Sequence, residues 1–167
     1  MRLLSAAKAF RLRDWLMILV AFSHGLRASE VIALTPDNIA DGHITVHRLK
    51  GSLTTTQPLL DHPNPLLDEK KALFEYGRGM HSIQRLFPVS RSTFWRLMQR
   101  HCATAGIPKR KAHPHVLKHS IAMTIIELAG IQNTRQYLGH RSGSSTLEYL
   151  RVSDEDAAKA VKRALDV

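Results

Sequence analysis

An apolar run of eight residues, 15–22, constrains the fold more than any other feature of this chain. The run is far shorter than the roughly 20 apolar residues that span a bilayer, and the charged residues just before it break the pattern of a signal peptide. We therefore expect a buried helix and no association with a membrane. Asp14 can cap this helix over about residues 15–23, and Gly25 can end it by adopting a left-handed conformation.

The composition fits a single domain that builds its own core. The chain has 167 residues, of which 44% are hydrophobic, and a chain of this kind forms one domain with a sizeable core. The single cysteine, Cys102, excludes an internal disulfide, and the sequence has no cysteine cluster of the kind that holds structural zinc. The cytoplasm is the expected compartment.

Sequence periodicity predicts a mainly helical fold with a small antiparallel sheet, which is an α+β fold. Polar and apolar side chains alternate over residues 43–48, and a β-branched run follows over residues 53–59. This pattern is typical of a hairpin, with Lys50 at its tip. Pro and Asx residues predict a turn at residues 35–38. Further helices are expected over residues 29–34, 66–76, 91–105, 115–128, 132–138, 144–152 and 154–166.

The charge of the chain favours a polyanionic partner. Its 24 Lys and Arg residues against 14 Asp and Glu residues give a formal net charge of +10, which attracts nucleic acid but also fits an anionic membrane surface or an acidic protein. The helix over residues 91–105, which Ser90 caps, concentrates this charge in Arg91, Arg96, Arg100 and His101. We predict that this side of the helix faces a phosphate backbone, and a merely solvated charged face is an equal alternative for the segment alone.

The C-terminal third carries the motifs that point to chemistry. The sequence His115-Val-Leu-Lys118-His119 is followed by Leu-Gly-His140, and Tyr149 lies nine positions after His140. Because they are three positions apart on a predicted helix, His115 and Lys118 share one face. This spacing indicates a tyrosine that attacks phosphorus, surrounded by cationic and imidazole groups.

Residues upstream can supply the remaining parts of such a site. Metal-free cleavage of a phosphodiester requires a nucleophile, cations that stabilise the pentacoordinate phosphorus and an acid for the departing sugar oxygen. Arg27, Glu30 and Lys50 are candidates for these parts, with Lys70 and Lys71 as weaker alternatives to Lys50. A tyrosine has a pKa of about 10, so it needs positive charge nearby to react at neutral pH. Taken one at a time, the residues have structural explanations, such as a tyrosine buried with its hydroxyl satisfied.

As an ordered set with these spacings, the motifs resemble the catalytic domain of the tyrosine recombinases, the phage integrase family. The resemblance extends from about residue 15 to the C-terminus. It implies the DNA breaking-rejoining fold and site-specific cutting and rejoining of DNA through a 3′-phosphotyrosyl intermediate. Because that protein linkage keeps the bond energy, neither a metal ion nor another cofactor is implied. The implied partners are double-stranded DNA and further copies of the chain, which would assemble on DNA as a synaptic tetramer.

The resemblance also assigns roles to the upstream residues. Arg27 corresponds to the first arginine that clamps the phosphate, and Glu30 corresponds to the acidic residue that orients the site behind it. Lys50 corresponds to the hairpin lysine that protonates the leaving 5′-oxygen.

The C-terminal residues take the remaining roles that the resemblance implies. His115 corresponds to a position for proton transfer and phosphate contact, and His140 corresponds to a donor to a phosphate oxygen. Tyr149 corresponds to the nucleophile. His119 is expected behind these residues, in support of them.

Lys118 stands where the family has its second arginine. Arginine offers phosphate a planar, two-pronged clamp, whereas lysine offers one compact charge. Loss of one preorganised donor costs about 3 kcal/mol, which is roughly a hundredfold in rate, and a retained charge softens this loss. We therefore expect an active recombinase. The alternative is a catalytically impaired DNA-binding regulator or accessory factor derived from a recombinase. A type IB topoisomerase is a third, weaker interpretation.

The beginning of the chain also departs from the family pattern. Arg27 lies too close to the first residue for the N-terminal domain with which most members close around DNA, so we expect residues 1–167 to form a single catalytic domain. Residues 43–60 and 113–115 most resemble the short recombinases of fimbrial phase variation, which also dispense with that domain. This likeness implies inversion of a small promoter element or a mobile-element function. Residues 153–167 correspond to the helix that such recombinases dock onto a neighbouring protomer.

Overall fold

The computed structural model describes residues 1–49, 52–141 and 146. The prediction of a mainly helical fold with a small antiparallel sheet is confirmed. Its elements are α1 Arg2–Phe10, α2 Leu12–Ser23, α3 Ala28–Val31, β1 Ile39–Ala40, β2 His43–Val46, β3 Thr55–Pro58, α4 Glu69–Gly77, α5 Arg91–Thr104 and α6 His115–Leu138. Lys50, the predicted helix with Tyr149 and the predicted terminal helix at 153–167 lie outside the described residues.

Helix α2 forms the centre of the core. Every residue from 15 to 21 is at most 1% exposed, because α1, α4 and α6 pack around this helix. A helix that is apolar on all sides must be enclosed in this way, so the prediction of a buried helix is confirmed. No helix within the described ranges is long and apolar enough to cross a membrane.

Asp14 does not cap α2, and this part of the sequence prediction is wrong. The helix begins at Leu12, so Asp14 lies inside its first turn and is fully buried. Its carboxylate accepts hydrogen bonds from Arg13 Nη2 at 2.8 Å and from His101 Nε2 at 3.0 Å. His101 was expected on the cationic side of α5, but it is 1% exposed and links α5 to α2. A buried carboxylate needs such partners, and they hold the two helices together.

The three strands form an antiparallel sheet in the order β1-β2-β3. The predicted hairpin of β2 and β3 is confirmed, with Ile44 opposite Gln57 and Val46 opposite Thr55. These four side chains are buried, while the residues between them are more exposed. The sheet therefore turns one face toward the helices, and its hairpin lies beside the beginning of α3 and the end of α6.

Several helix boundaries differ from the prediction because of local capping. Helix α4 begins at Glu69, three residues after the predicted start, because the Asp68 carboxylate accepts a hydrogen bond from the Lys71 amide at 3.2 Å. Helix α3 is shorter than predicted, and α1 was not predicted. The start of α5 is confirmed, since Ser90 Oγ accepts from the Thr93 amide.

Helix α6 contains the predicted break and the predicted end. Gly130, with φ of +78°, interrupts the helix, and Gly139, with φ of +66°, ends it in the left-handed conformation. A Cβ atom on Gly139 would lie 2.6 Å from the Leu53 carbonyl oxygen, and the Leu53 amide donates to the Gly139 carbonyl at 2.8 Å. The glycine before His140 thus lets α6 end directly against the hairpin.

Candidate active site

The turn after α2 presents Arg27 at the start of α3. Gly25 makes this turn with φ of +57°, and a Cβ atom there would lie 2.5 Å from Cδ2 of Leu138. Glu30 then fixes Arg27 twice, because its carboxylate accepts from the Arg27 amide and from Arg27 Nη1, each at 2.8 Å. Glu30 therefore holds Arg27 as part of the capping of a very short helix.

Glu30 also connects this turn to the hairpin. Its carboxylate accepts from the Leu49 amide at 3.0 Å, and Leu49 directly precedes Lys50 in the sequence. Burial tends to raise the pKa of Glu30, but hydrogen bonds from Arg27 and Leu49 outweigh burial and leave the pKa below its usual value. The carboxylate is consequently ionised at neutral pH and can hold cations around it.

Lys118 lies behind this cluster and is buried. The residue is 1% exposed, and its Nζ donates to the Gly25 carbonyl at 3.0 Å. Burial, together with the nearby charges of Arg48 and Arg27, lowers the pKa of Lys118 to about 7, although Glu30 acts in the opposite direction. The single compact charge expected from the sequence is thus held inside the protein, where its surroundings favour loss of the proton.

Two imidazoles adjoin the cationic cluster. His115 lies at the start of α6 with part of its surface open to solvent, and partial desolvation of its ring, together with the charges of His113 and Lys118, lowers its pKa. His140 is 5% exposed, and burial followed by the charge of Lys118 lowers its pKa to about 4. Its Nδ1 lies 2.9 Å from Thr146 Oγ1. Both rings are neutral at pH 7, so each can donate one hydrogen bond and accept another.

An open cavity of about 1050 Å³ gives access to Arg27 from solvent. The side chains that give the cavity its character are Arg27, Arg91, Trp95, His113 and His115. Among the described residues no group of three or more His, Cys, Asp or Glu side chains could hold a metal ion. A lining of arginine, imidazole and an exposed tryptophan is suited to an anionic, partly apolar ligand such as a nucleotide backbone.

The three arginines predicted to bind DNA do not occupy equivalent places. Arg91 lines the cavity, whereas Arg96 and Arg100 are not part of its lining. The Arg100 guanidinium lies 4.9 Å from the centroid of the Phe10 ring. His119 is exposed on α6.

The structure thus brings together Arg27, Glu30, His115, Lys118 and His140. Sequence reasoning missed Arg48, whose side chain is completely buried among them. The missed signal was its position in the alternation of β2. Ile44 and Val46 point into the core. Arg48 follows Val46 by two residues, so the same alternation would turn its side chain inward.

Comparisons with known proteins identify the relatives of this chain. The model of the phage integrase family matches residues 1–156. The chain is 34% identical to the tyrosine recombinase XerA of Pyrococcus furiosus over 92% of its own length and 55% of that protein. A crystal structure of XerA recombinase superposes with a TM-score of 0.74 at 26% identity, covering 98% of this chain and 61% of the other.

A more distant solved structure has the same fold. The crystal structure of a lambda integrase dimer bound to a COC′ core site gives a TM-score of 0.71 at 19% identity, covering 92% of this chain and 47% of that chain. Like the XerA match, this comparison leaves a large part of the other chain unmatched. The chain spans just over half the length of the curated relatives that it matches.

Proposed function

The chain belongs to the phage integrase family, and on this premise we propose that it is the catalytic domain of a site-specific tyrosine recombinase. Tyr149 attacks the scissile phosphate, the 5′-oxygen departs, and the 3′-phosphotyrosyl bond keeps the energy for rejoining. The observation that carries this proposal is the cluster of Arg27, Glu30 and Lys118 beside an open cationic cavity.

Two of the three tyrosines in the chain are engaged elsewhere, which favours Tyr149 as the nucleophile. The Tyr137 hydroxyl donates to the Ser23 carbonyl at 2.6 Å, and burial raises its pKa to about 12. Tyr76 stacks on Phe87 at the edge of the core, and burial raises its pKa. Neither phenol is placed to lose its proton readily, so Tyr149 is the remaining candidate.

Arg27 is the main clamp for the transition state. Its side chain is 25% exposed toward the cavity, and within the described part of the chain its hydrogen bonds to protein use Nη1 alone. The rest of the guanidinium fork can therefore face the phosphate oxygens. Lys118 adds charge from behind, and Lys50 is proposed as the acid for the leaving oxygen on the basis of its motif.

The neutral imidazoles suit proton transfer and hydrogen bonding. His115 lies in the cavity wall and can exchange a proton with a group at the phosphate. His140 is proposed, on the basis of its motif, to donate to a phosphate oxygen, and the contact of its Nδ1 with Thr146 Oγ1 helps to orient the ring. His119, next to Lys118 in sequence, is proposed to support this arrangement.

Duplex DNA is the proposed substrate, and further copies of the chain are the proposed partners. The net charge of +10 supplies general attraction to phosphate, and Arg91 extends the cationic cavity beyond Arg27. Arg96 and Arg100 are proposed to add longer-range attraction to phosphates further along the duplex. Exchange of strands needs two cut duplexes, so a synaptic tetramer follows from the proposal. Inversion of a promoter element and a mobile-element function both fit this chemistry.

A suicide-substrate assay tests the enzyme proposal. Nicked duplexes drawn from the DNA that flanks the coding region, inverted repeats above all, would be incubated with the protein and covalent adducts collected after denaturation. We expect an adduct that is lost in Tyr149→Phe and in Arg27→Ala, and retained in the matched variant Tyr76→Phe. An adduct that survives Tyr149→Phe would disprove the assignment of the nucleophile.

A second candidate function is DNA binding without cleavage. The burial of Lys118 and the hydrogen bond from its Nζ to Gly25 favour it, because an ammonium group held by the backbone contacts phosphate less directly than an exposed guanidinium. Salt-sensitive binding to DNA, with no adduct on any flanking duplex, would support this candidate. Gain of an adduct in Lys118→Arg alone would show that the lysine is the cause.

A further inference from the structure

Arg48 is a buried cation that the proposed chemistry does not use directly. Its side chain is completely inaccessible to solvent. Burial lowers the pKa of the guanidinium, and the Glu30 carboxylate opposes this effect. A buried charge is costly unless its donors are satisfied, so the partners of Arg48 show what its position accomplishes.

The guanidinium of Arg48 holds the turn that carries Arg27. Nη2 donates to the His24 carbonyl at 2.9 Å, and Nη1 donates to the Gly25 carbonyl at 3.2 Å. These are consecutive backbone oxygens of the turn between α2 and α3. Since Gly25 is in the left-handed conformation, the turn depends on such contacts to keep a single geometry.

The remaining donors of Arg48 tie that turn to two other elements. Nε donates to Thr55 Oγ1 of β3 at 2.9 Å, and Nη2 also lies 3.4 Å from the Tyr137 carbonyl near the end of α6. The same end of α6 leads to His140. Arg48 therefore fixes the Arg27 turn relative to the hairpin and to the His140 segment at once.

Arg48 also acts on Arg27 through the carboxylate between them. Arg48 Nη1 lies 3.6 Å from Glu30 Oε2. The same Oε2 accepts from the Arg27 amide, and Oε1 accepts from Arg27 Nη1 and from the Leu49 amide. Two guanidinium groups thus share one carboxylate, one buried and one facing the cavity.

We propose that Arg48 is a positioning residue for Arg27 in the recombinase reaction. This inference rests on the proposed function. A planar group with five donors is needed to reach three carbonyls, a hydroxyl and a carboxylate together, and a lysine has neither the geometry nor the number of donors. Arg48 does not contact DNA. It acts by keeping the Arg27 guanidinium where phosphate charge develops.

The first test is single-turnover cleavage of a nicked suicide duplex by Arg48→Lys under saturating enzyme. We expect the rate constant for adduct formation to fall by about tenfold to a hundredfold, with the dissociation constant for DNA within about threefold of wild type. A fold defect alone would lower the amplitude, which counts active molecules, and leave the rate constant unchanged. An unchanged rate constant in Arg48→Lys overturns the proposal.

Arg13→Lys is the matched control. Arg13 is likewise an arginine that forks onto a buried carboxylate, that of Asp14, but it lies at the opposite end of α2, about 15 Å along the helix from the Arg27 turn. We expect its rate constant to equal that of wild type. If both variants slow the reaction equally, the effect is general and the positioning role is refuted.

Amide hydrogen exchange supplies a readout that does not depend on cleavage. The Arg27 and Leu49 amides both donate to Glu30, so their exchange reports how firmly this carboxylate is held. In Arg48→Lys we expect both to exchange at least tenfold faster, with the interior of α2 unchanged. Unchanged exchange at these two amides overturns the proposal. If wild type forms no adduct, the recombinase proposal fails, and exchange alone decides whether Arg48 positions Arg27.

Thr55→Val keeps the test open if Arg48→Lys does not fold. The substitution keeps the shape of the side chain and removes only the oxygen that receives Arg48 Nε. We expect a rate constant lowered about threefold and faster exchange of the Arg27 amide. A Thr55→Val protein identical to wild type in both measurements would count against the role of Arg48.

Discussion

Lys118 is the residue of the candidate site whose charge should respond most to pH near neutrality. Its ammonium group is buried against the Gly25 carbonyl, and its pKa lies near 7 because of burial and the neighbouring arginines. A guanidinium at the same place would stay charged at every physiological pH. A lysine at this place therefore makes one of the charges of the candidate site titratable near neutral pH.

The rate of adduct formation should reveal this titration. As pH rises from 6 to 8, wild type loses the Lys118 charge, so its second-order rate constant should fall relative to that of Lys118→Arg by about tenfold. His140, with a pKa of about 4, is neutral throughout this window and does not contribute. The measurement is the ratio of the two rate constants at subsaturating protein, and a ratio that stays flat from pH 6 to 9 would contradict the prediction.

The same burial should cost stability. Lys118 has a folded pKa of about 7 and an unfolded pKa of about 10.4, so between these values the unfolded chain binds a proton that the folded chain lacks. Burial of Lys118 therefore lowers the free energy of unfolding of the wild type most at pH 7 and below, and this loss of stability disappears toward pH 10. We expect Lys118→Met to raise the free energy of unfolding by up to about 4 kcal/mol at pH 7 and by little at pH 10.

Urea unfolding of the DNA-free protein at several pH values would measure this gain. The matched control is Lys109→Met, which removes an exposed ammonium group and so relieves no burial. A gain for Lys118→Met that does not decline as pH rises would mean that the ammonium group is not destabilised by burial.

At the scale of elements, the contact between the end of α6 and β3 places His140 next to the Arg27 turn. Gly139 permits it, because its Cβ would meet the Leu53 oxygen at 2.6 Å, Thr55 Cγ2 at 2.8 Å and Arg48 Cγ at 3.1 Å. Gly25 packs in the same way against Leu138. The Leu-Gly-His motif is thus explained by packing as well as by chemistry.

Gly139→Ala should separate the two elements. The left-handed backbone costs about 1 kcal/mol for alanine, and the clash with backbone adds about 1–3 kcal/mol, so we expect a loss of about 2–4 kcal/mol in urea unfolding. Gly79→Ala is the control, because Gly79 also has positive φ but a Cβ atom added to it would meet no atom within 4 Å. Equal losses in both variants would show that strain alone matters and that the close approach does not.

Elements were predicted correctly where the sequence pattern that determines them spans only a few residues. The hairpin, the start of α5 and the break at Gly130 follow from alternation, a capping serine and a glycine, all of which act within a few residues. Alternation can indicate that Arg48 faces inward, but it cannot identify the groups that receive its hydrogen bonds. Its partners are 23 residues away at Gly25 and 89 residues away at Tyr137, so its burial depends on tertiary packing.

In the candidate site, too, local relations could be predicted from the sequence and long-range contacts could not. Arg27 and Glu30 could be paired from the sequence because three positions separate them and a capping arrangement joins them. The inward direction of Lys118 could not be predicted, since it depends on the Gly25 turn 93 residues earlier. His101 was misplaced for the same reason, because Asp14, its partner, lies 87 residues away.

For the whole molecule, the net charge of +10 would give a general attraction to the proposed DNA substrate, and the distribution of that charge would decide which phosphates are contacted. Arg91 lines the same cavity as Arg27 and His115, whereas Arg100 is stacked on Phe10 of α1. The cavity therefore marks the part of the charge that we propose to face the reacting phosphate, and the outer arginines of α5 would act at a distance from it.

Salt titration of DNA binding can separate these contributions. Each phosphate contact steepens the slope of log K against log salt by about 0.9 for duplex DNA, so Arg91→Ala should reduce the slope by about 1. Arg96→Ala and Arg100→Ala should reduce it less, because those side chains lie outside the cavity lining and Arg100 has a competing ring contact. Lys109→Ala, on an exposed turn between α5 and α6, serves as the reference for a general loss of one charge. An equal change in slope for all four variants would show that the duplex is bound by net charge alone and that the cavity has no special part in docking it.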